Sequence, residues 1–345
     1  MDTTKEMQDR IQQLRTKLES FRDSQATDGQ HLSAVASQLG CGNPVRDANL
    51  KPRRVLRGHY GKIYSMSWGQ DSTRVVSASQ DGNIIIWNAL SGLKEQAIRL
   101  QSSWVMACDI SPSGRAVCSG GLDNFVEVFN LSDNGVQKMA GVNLIGHQGY
   151  LSCCKFISDT ELLTSSGDGT CRLWDVEAQC TKLEFSGHRA DVMELDVSGS
   201  TFVSGSCDTT AKLWDMRTGS CLKTFTGHEA DINTVKFLPG TEHAFATGSD
   251  DSTCRLFDIR AYRQINCYQD FHTPDCVTSV AFSGSGRYFF STYSDTPKIT
   301  SWDTITGNIV QELESHDQRI SKLSMSPDGK ALASASWDGL VKIWA

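Results

Sequence analysis

The feature that most constrains this chain is a sequence repeat with a period of about forty residues. A histidine, usually preceded by glycine, recurs at His59, His147, His188, His228, His272 and His316. An aromatic residue, often followed by aspartate, recurs at intervals of 40 to 45 residues at Trp87, Phe129, Trp174, Trp214, Phe257, Trp302 and Trp344. Seven units at this spacing predict an all-β chain, a seven-bladed β-propeller with four short strands in each blade.

A second pattern supports the same repeat. In six units an aspartate stands six residues before the aromatic, at Asp81, Asp123, Asp168, Asp208, Asp251 and Asp338. Four residues before each aspartate stands a hydroxyl, at Ser77, Ser119, Thr164, Ser204, Thr247 and Ser334. The sixth unit has Asp295 seven residues before its aromatic, and this extra residue beside Pro297 predicts a bulge or a longer turn.

The repeated Ser/Thr, His and Asp could be mistaken for a hydrolase triad. A nucleophile is needed once, whereas this set occurs about once per unit, so the sequence favours a buried hydrogen-bond network that holds the blades. The structural set includes His59, Asp81, Trp87, His147, Asp168, Trp174, His188, Asp208 and Trp214. An enzyme would need a distinct polar or metal-binding cluster in the central channel. The sequence offers only the repeated set, so we predict no catalysis, no metal and no cofactor.

The two ends of the propeller region predict how the ring closes. The chain stops at Trp344-Ala345, directly after the third strand of the last unit, which leaves that blade without an outer strand. The extended stretch 52–57 (PRRVLR) belongs to no unit. We therefore predict that strand 52–57 completes blade seven of a propeller domain spanning 46–345, so that no sheet edge stays open.

The segment 1–45 lacks the repeat of the propeller units, and its sequence predicts a helix. Its apolar residues follow the a/d spacing of a heptad, at Met7, Ile11, Leu14, Leu18 and Phe21. Fewer than three heptads do not make a stable helix alone. A strict a/d stripe favours a coiled coil with another chain, and packing back onto the propeller is the alternative.

Composition narrows the function classes. The net charge of −7 and the absence of a basic run argue against binding to a nucleic-acid backbone. No stretch reaches the ~18 apolar residues of a membrane span, and the N-terminus has no apolar signal core. The twelve cysteines form no CxxC or zinc-type spacing. They are predicted to be reduced and buried in a cytosolic protein, and a secreted disulfide framework is the alternative.

One end of the propeller is predicted to carry a binding face. Positions three and five residues after each Gly-His site lie on the same side of the first strand of each blade, because side chains alternate along a strand. These positions hold Lys62 and Tyr64, Trp104 and Met106 (where Gln101 replaces the histidine), Tyr150 and Ser152, Asp191 and Met193, Asp231 and Asn233, and Arg319 and Ser321. Beside the turn aspartates stand Leu122, Asn124, Asp250 and Trp337. Aromatic and apolar side chains next to charges are typical of interface hot spots, although packing between blades is the alternative for Met193 and Leu122.

Several segments go well beyond a generic Gly-His and Trp-Asp repeat, among them RRVLRGH, KIYSMSWG, SSWVM, GGLDN, GYLSCC, SGSCD, TGHEADIN, ATGSDDSTCRLFD and SWDGLVKIW. Along essentially the whole chain these resemble the β subunit of heterotrimeric G proteins, a WD-repeat family. The resemblance implies an obligate dimer with a γ subunit, whose helix pairs with the N-terminal helix. It also implies binding to the GDP form of the α subunit, signalling to effectors after receptor-driven nucleotide exchange, and a cytoplasmic location at the inner face of the plasma membrane, held there peripherally by lipidated subunits.

The resemblance also implies roles for individual residues. The α-binding surface of the family maps onto Lys62, Tyr64, Trp104, Met106, Leu122, Asn124, Tyr150, Asp191, Met193, Asp231, Asp250 and Trp337. A side patch of Ile85 and Lys94 would meet the N-terminal helix of the α subunit, although Tyr60 and Leu93 depart from the family there. The competing hypothesis is a WD-repeat scaffold of another kind, such as a ribosome-associated or ligase-adaptor propeller, which would not need the a/d helix.

Overall fold

The computed structural model of the chain describes residues 50–132, 135–270 and 275–345, and for residues 132 and 135–141 it describes the backbone alone. The boundary predicted at 45/46 and the heptad seam of Met7, Ile11, Leu14, Leu18 and Phe21 lie outside these residues.

Within the described residues, twenty-eight strands form seven antiparallel sheets of four strands each. The first strand is β1 (Pro52–Arg57). Blade 1 contains β2 (Ile63–Trp68), β3 (Arg74–Ser79), β4 (Asn83–Asn88) and β5 (Lys94–Arg99). Blade 2 contains β6 (Val105–Ile110), β7 (Ala116–Gly121), β8 (Phe125–Ser132) and β9 (Gly135–Ile145). Blade 3 contains β10 (Leu151–Phe156), β11 (Glu161–Ser166), β12 (Thr170–Asp175) and β13 (Cys180–Ser186).

The remaining blades follow the same plan. Blade 4 contains β14 (Val192–Ser198), β15 (Thr201–Ser206), β16 (Ala211–Asp215) and β17 (Ser220–Phe225). Blade 5 contains β18 (Ile232–Phe237), β19 (Ala244–Ser249), β20 (Thr253–Asp258) and β21 (Arg263–Gln269). Blade 6 contains β22 (Val277–Phe282), β23 (Tyr288–Tyr293), β24 (Lys298–Asp303) and β25 (Ile309–Glu314). Blade 7 contains β26 (Ile320–Met325), β27 (Leu332–Ser336), β28 (Leu340–Trp344) and β1.

The blades form a closed ring. The first strands of successive blades contact one another in the order β2, β6, β10, β14, β18, β22 and β26, and β26 contacts β2 again. Apolar clusters lie between neighbouring blades; Leu56 and Val341 of blade 7, for example, pack with Trp87 of blade 1. Because both faces of a blade are covered, every residue of β7 is buried, whereas the outer strand β5 is mostly exposed. The predicted seven-bladed propeller is confirmed.

Blade 7 is completed by the strand that precedes blade 1. β1 pairs antiparallel with β28, with Pro52 opposite Trp344 and Arg57 opposite Leu340. The main-chain amide of Lys51 donates to the carbonyl of Ala345 at 3.4 Å, just before the strand begins. A proline is tolerated as the first residue of a strand because its missing N–H breaks no internal ladder bond. The predicted closure by strand 52–57 is therefore confirmed.

Blade 6 departs from the repeat at its second turn. Residues 294–297 separate β23 from β24, whereas residues 167–169 suffice in blade 3. The extra residue thus makes a longer turn, which was one of the two forms expected. Asp295 does not behave as the turn aspartate of the other blades, because it is exposed and its own N–H donates to Asp275 at 2.7 Å. His272 lies outside the described residues.

Eleven of the twelve cysteines fall in the described part of the chain, and all eleven are free thiols. The adjacent Cys153 and Cys154 point to opposite faces of β10 and join the clusters on either side of blade 3. Burial was predicted for all of them, but Cys180, Cys221 and Cys267 are exposed because they lie on outer strands. The described part of the chain contains no helix with the length and apolar character that crossing a bilayer requires.

Candidate protein-docking face

The repeated polar residues form the same network in several blades. In blade 1, His59 Nδ1 lies 3.1 Å from Asp81 Oδ2, and His59 Nε2 lies 2.7 Å from Ser77 Oγ. The indole of Trp87 donates to the same hydroxyl at 2.8 Å. Among the described residues, His–Asp and His–hydroxyl bonds of this kind recur at His147, His188, His228 and His316.

The chemistry of this network is that of a scaffold. The hydroxyls of Ser77, Thr164 and Ser204 are fully buried and already bonded to an imidazole and an indole, so no substrate can reach them. The aspartates are held ionised. Burial by itself would raise the pKa of Asp81, but hydrogen bonds from His59 and from the N–H of Tyr60 outweigh it and lower the pKa to about 2.

Each network also fixes the loops at one end of its blade. Asp81 accepts the N–H of Tyr60 before β2 and the N–H of Asn83 after the second turn. Main-chain bonds then tie the two loops together: Leu122 N–H to Trp104 O at 3.2 Å, Cys207 N–H to Asp191 O at 2.9 Å, Asp250 N–H to Asp231 O at 2.9 Å and Trp337 N–H to Arg319 O at 3.0 Å. The residues selected by sequence spacing are therefore held together at the same end of the ring, which we call the docking face.

One half of the docking face combines aromatic rings with cations. The Lys62 ammonium lies 3.9 Å from the ring centroid of Trp337, and the Arg319 guanidinium lies 5.0 Å from the same ring. Tyr64 packs between two tryptophans, with its ring centroid 6.1 Å from that of Trp337 and 6.5 Å from that of Trp104. Trp104 remains 44% exposed, so this half presents a large, rigid apolar surface beside positive charge.

The other half is acidic. Tyr150 Oη donates to Asp191 at 2.8 Å and contacts Met193 Sδ at 3.5 Å, while the Asn233 amide donates to Asp250 at 2.5 Å. The thiol of Cys207 lies near three of these carboxylates. Burial, a hydrogen bond with Asp231 and the negative charges of Asp231, Asp191 and Asp250 raise the pKa of this thiol to about 12. The face is thus polarised, with cations and tryptophans on blades 1, 2 and 7 and aspartates on blades 4 and 5.

The two halves meet at the mouth of the central channel. A cavity of about 130 Å³ there is lined by Tyr64, Met106, Met193 and Asn233, with Glu194 and Lys322 deeper in the channel. Methionine side chains are adaptable and suit surfaces that accept different partners. None of the twelve residues assigned to this face is buried. Leu122 is 51% exposed, whereas Met193 is partly buried and contacts Tyr150 of the neighbouring blade, so packing between blades remains the alternative for Met193.

These features match a known family. The family model described as G protein beta WD-40 repeat protein matches residues 1–345. The chain belongs to the G protein beta family. It is 44% identical to a guanine nucleotide-binding protein subunit beta of Arabidopsis thaliana over 368 aligned positions, which cover 100% of this chain and 94% of that protein. It is 49% identical to subunit beta-5b of Danio rerio, covering 86% of this chain and 76% of that protein. A Solanum tuberosum subunit beta is 48% identical, at 85% and 82% coverage.

Two residues of this G protein beta chain require a correction or a different explanation. Ile85 was expected on an exposed side patch with Lys94, but it is only 2% exposed and packs between blades 1 and 7, because the third strand of a blade is covered on both faces. Lys94 itself is exposed. Asn124 adopts a φ of 63° at the turn position that Gly82 and Gly169 occupy in their blades, so turn geometry accounts for the asparagine there.

Some contributors to the docking face are absent from the set of residues that the family resemblance implied. Arg319 and Asn233 had been selected by the three- and five-residue spacing, respectively. Arg319 packs on Trp337, and Asn233 bonds Asp250. Gly121 also matters, because a Cβ there would lie 1.8 Å from the carbonyl of Trp104. The paired glycines of GGLDN were the available signal for that close approach.

Proposed function

We propose that this G protein beta chain forms a dimer with a γ subunit and binds the GDP-bound α subunit through the docking face. The polarised face supports this proposal most directly, because aromatic area and carboxylates stand side by side at one end of a rigid ring. Tyr64, Trp104 and Trp337 would supply the apolar contact area. Asp191, Asp231 and Asp250 would meet basic residues of the partner.

The same face would also serve effectors. Two partners that share one surface compete, so a GDP-bound α subunit would mask the face from effectors. Receptor-driven nucleotide exchange on the α subunit would lower its affinity and expose the face. No movement within the propeller is required by this scheme, which suits a ring in which hydrogen-bond networks fix the loops of five blades.

The N-terminal heptad seam is proposed as the site of γ pairing. A γ subunit carrying a lipid would hold the cytoplasmic dimer peripherally at the inner face of the plasma membrane. Co-expression with candidate γ subunits tests this: Leu14→Asp with Leu18→Asp should abolish co-purification. Gln12→Asp with Thr16→Asp, off the seam, should not. Equal recovery with both pairs of variants would favour a WD-repeat scaffold of another kind.

The docking face is tested with Trp104→Ala. Removal of a large, half-exposed indole at an interface centre typically costs more than ~1 kcal/mol of binding free energy. We expect titration calorimetry of the GDP-bound α subunit against the βγ dimer to show at least this loss.

Leu222→Ala is the matched control, because Leu222 is also exposed but lies on the outer strand of blade 4. An affinity for the α subunit that is unchanged by Trp104→Ala, or lowered equally by both variants, would refute the assigned face.

A further inference from the structure

A second surface lies at the opposite end of the strands, where blade 7 meets blade 1. β2 starts at the docking face and ends at Trp68, which borders a cavity of about 450 Å³. Apolar side chains line much of it, among them Trp68, Ala89, Leu90, Ala331 and Ile343. The indole N–H of Trp68 is already bonded to Ser324 O at 3.1 Å, so the ring presents apolar carbon to the cavity. Leu90, at 65% exposure, stands at its mouth.

Two guanidinium groups border this cavity. Arg53 Nε donates to the carbonyl of Ala345 at 2.9 Å, and Arg54 Nε donates to the carbonyl of Leu90 at 2.8 Å. These bonds hold both side chains in place and leave further guanidinium N–H groups of each arginine for a ligand. Within the described residues, no Asp or Glu side chain forms an ion pair with either arginine. The one acid on the lining, Asp328, is paired with Lys330 at 3.4 Å.

The positive charge is larger on this outer strand than on the other outer strands of the described blades, which carry at most one net positive charge each. β1 reads PRRVLR, with three arginines and no acid, and Lys51 directly precedes it. The corresponding strand of blade 6, β25, reads IVQELE, and that of blade 1, β5, mixes both signs. Charged residues on an outer strand do discourage edge-to-edge pairing. That role does not explain an apolar cavity beside the charges, in a chain whose net charge is −7.

We propose that this seam between blades 7 and 1 docks an acidic, extended segment of a partner protein, which inserts one large apolar side chain into the cavity. Carboxylates of the partner segment would pair with the guanidinium groups of Arg53 and Arg54, since arginine and carboxylate favour bidentate pairing. The cavity is large enough to admit an aromatic or leucine side chain. A flat anionic membrane would reach the arginines but would leave the cavity unfilled, so the concave shape favours a peptide.

The seam goes beyond the proposed function, because it lies at the end of the strands opposite to the docking face. A partner at the seam and one on the docking face can be bound together. Binding at the seam is therefore expected to be insensitive to saturation of the docking face, which separates a failure of one proposal from a failure of the other.

The test uses the full chain with its co-purified subunit and a fluorescent peptide, Asp-Glu-Phe-Glu-Asp, followed by anisotropy. We expect saturable binding that weakens with salt, falls by roughly tenfold for Arg53→Glu with Arg54→Glu, and falls similarly for Leu90→Asp. All three residues are exposed, so the fold should tolerate the changes. Arg260→Glu with Arg263→Glu, and Leu222→Asp, are matched exposed controls on blades 5 and 4 that should bind as the parent chain does.

Two further probes separate the alternatives. The peptide with alanine in place of phenylalanine should bind at least several-fold more weakly, because the cavity is then unfilled. Phosphatidylserine vesicles, compared with phosphatidylcholine vesicles, report a membrane surface. The proposal is overturned by equal binding of the two peptides, by loss of binding in the control variants, by binding of anionic vesicles only, or by no peptide binding.

Discussion

At the scale of single residues, one hydroxyl organises each network. In blade 4, Ser204 Oγ lies 2.7 Å from His188 Nε2 and accepts the Trp214 indole at 2.8 Å, and Asp208 completes the set on the other nitrogen of the imidazole. Every member is buried or nearly so, and each polar atom in this chain of contacts has a partner. The set therefore connects a loop, two strands and the Trp214 indole. The stability of the propeller consequently depends on the protonation state of the His and Asp side chains.

Acid should destabilise the propeller in two steps. Burial lowers the pKa of His147, His188 and His228 below 6.5, in spite of their aspartate partners, so the unfolded chain binds protons first as the pH falls below about 6.5. The pKa values of Asp168 and Asp208 are lowered to about 2 from 3.8, so their contribution is present above about pH 4 and disappears towards pH 2. We expect the melting temperature to fall across both ranges.

The measurement is the melting temperature from pH 8 to pH 2. Asp168→Asn should flatten the lower range relative to the parent chain, because the group that titrates there is removed. Glu177→Gln, a change at an exposed carboxylate, should leave the profile unchanged. A parent melting temperature that is constant between pH 7 and pH 4 would contradict the role assigned to the histidines.

At the scale of the element, β1 decides whether the ring is closed. One side chain of β1 is buried in the apolar cluster, and the others are exposed to solvent. Leu56 is fully buried in the cluster with Trp87 and Val341, while its neighbour Val55 is 38% exposed. A closed ring leaves blade 7 with its full set of four strands, whereas loss of β1 would expose the edge of β28 and one side of that apolar cluster.

Deletion of residues 51–58 should therefore abolish a cooperative thermal melt. The substitution Leu56→Asp tests the contribution of β1 without removing the strand. A carboxylate at a fully buried position loses the apolar contacts and lacks a charge partner, so we expect a loss of roughly 3 kcal/mol or more in the free energy of unfolding. Val55→Asp should cost far less. A truncated chain that still melts cooperatively would show that β1 is dispensable.

At the scale of the whole molecule, charged side chains in the channel connect blades that are far apart in sequence. Glu194 on β14 lies 3.0 Å from the Lys236 ammonium on β18 and also bonds Lys322 on β26, so blades 4, 5 and 7 share one carboxylate. Its second oxygen accepts the N–H of Val235 at 3.2 Å. Burial alone would raise the pKa of Glu194, but the two lysines outweigh it and lower the pKa to about 2.

Glu194→Gln should consequently weaken the ring as a unit. Removing one partner of a buried ion pair leaves the lysines with less compensation, which typically costs roughly 3 kcal/mol. We expect a lower melting temperature with the melt still in one step, since the blades share their clusters. Glu229→Gln, a change at an exposed carboxylate, serves as the control. Equal stability of the two variants would show that the channel network contributes nothing.

Much of this architecture was readable from the sequence because it is local and repeated. The spacing of Trp87, Trp174 and Trp214 predicts the blades, since each unit alternates side chains in the same way. The stretch PRRVLR, which belongs to no repeat unit, predicts the closing strand, since the seventh unit has only three strands of its own. Positions three and five after each Gly-His site predict the end of the ring on which Lys62, Trp104 and Asp191 stand.

Other features were decided only by the tertiary structure, because they depend on which blades become neighbours. The family resemblance placed Ile85 in a patch that would contact the α subunit, but blade 7 covers this side chain in the folded ring. Trp337 stacks with Lys62 and Arg319 although the two cations are far apart in the chain, and the division of the face into aromatic and acidic halves follows from that ring order. The cavity bordered by Arg53, Trp68 and Ile343 exists only where the first and last strands meet, so no local pattern could have revealed it.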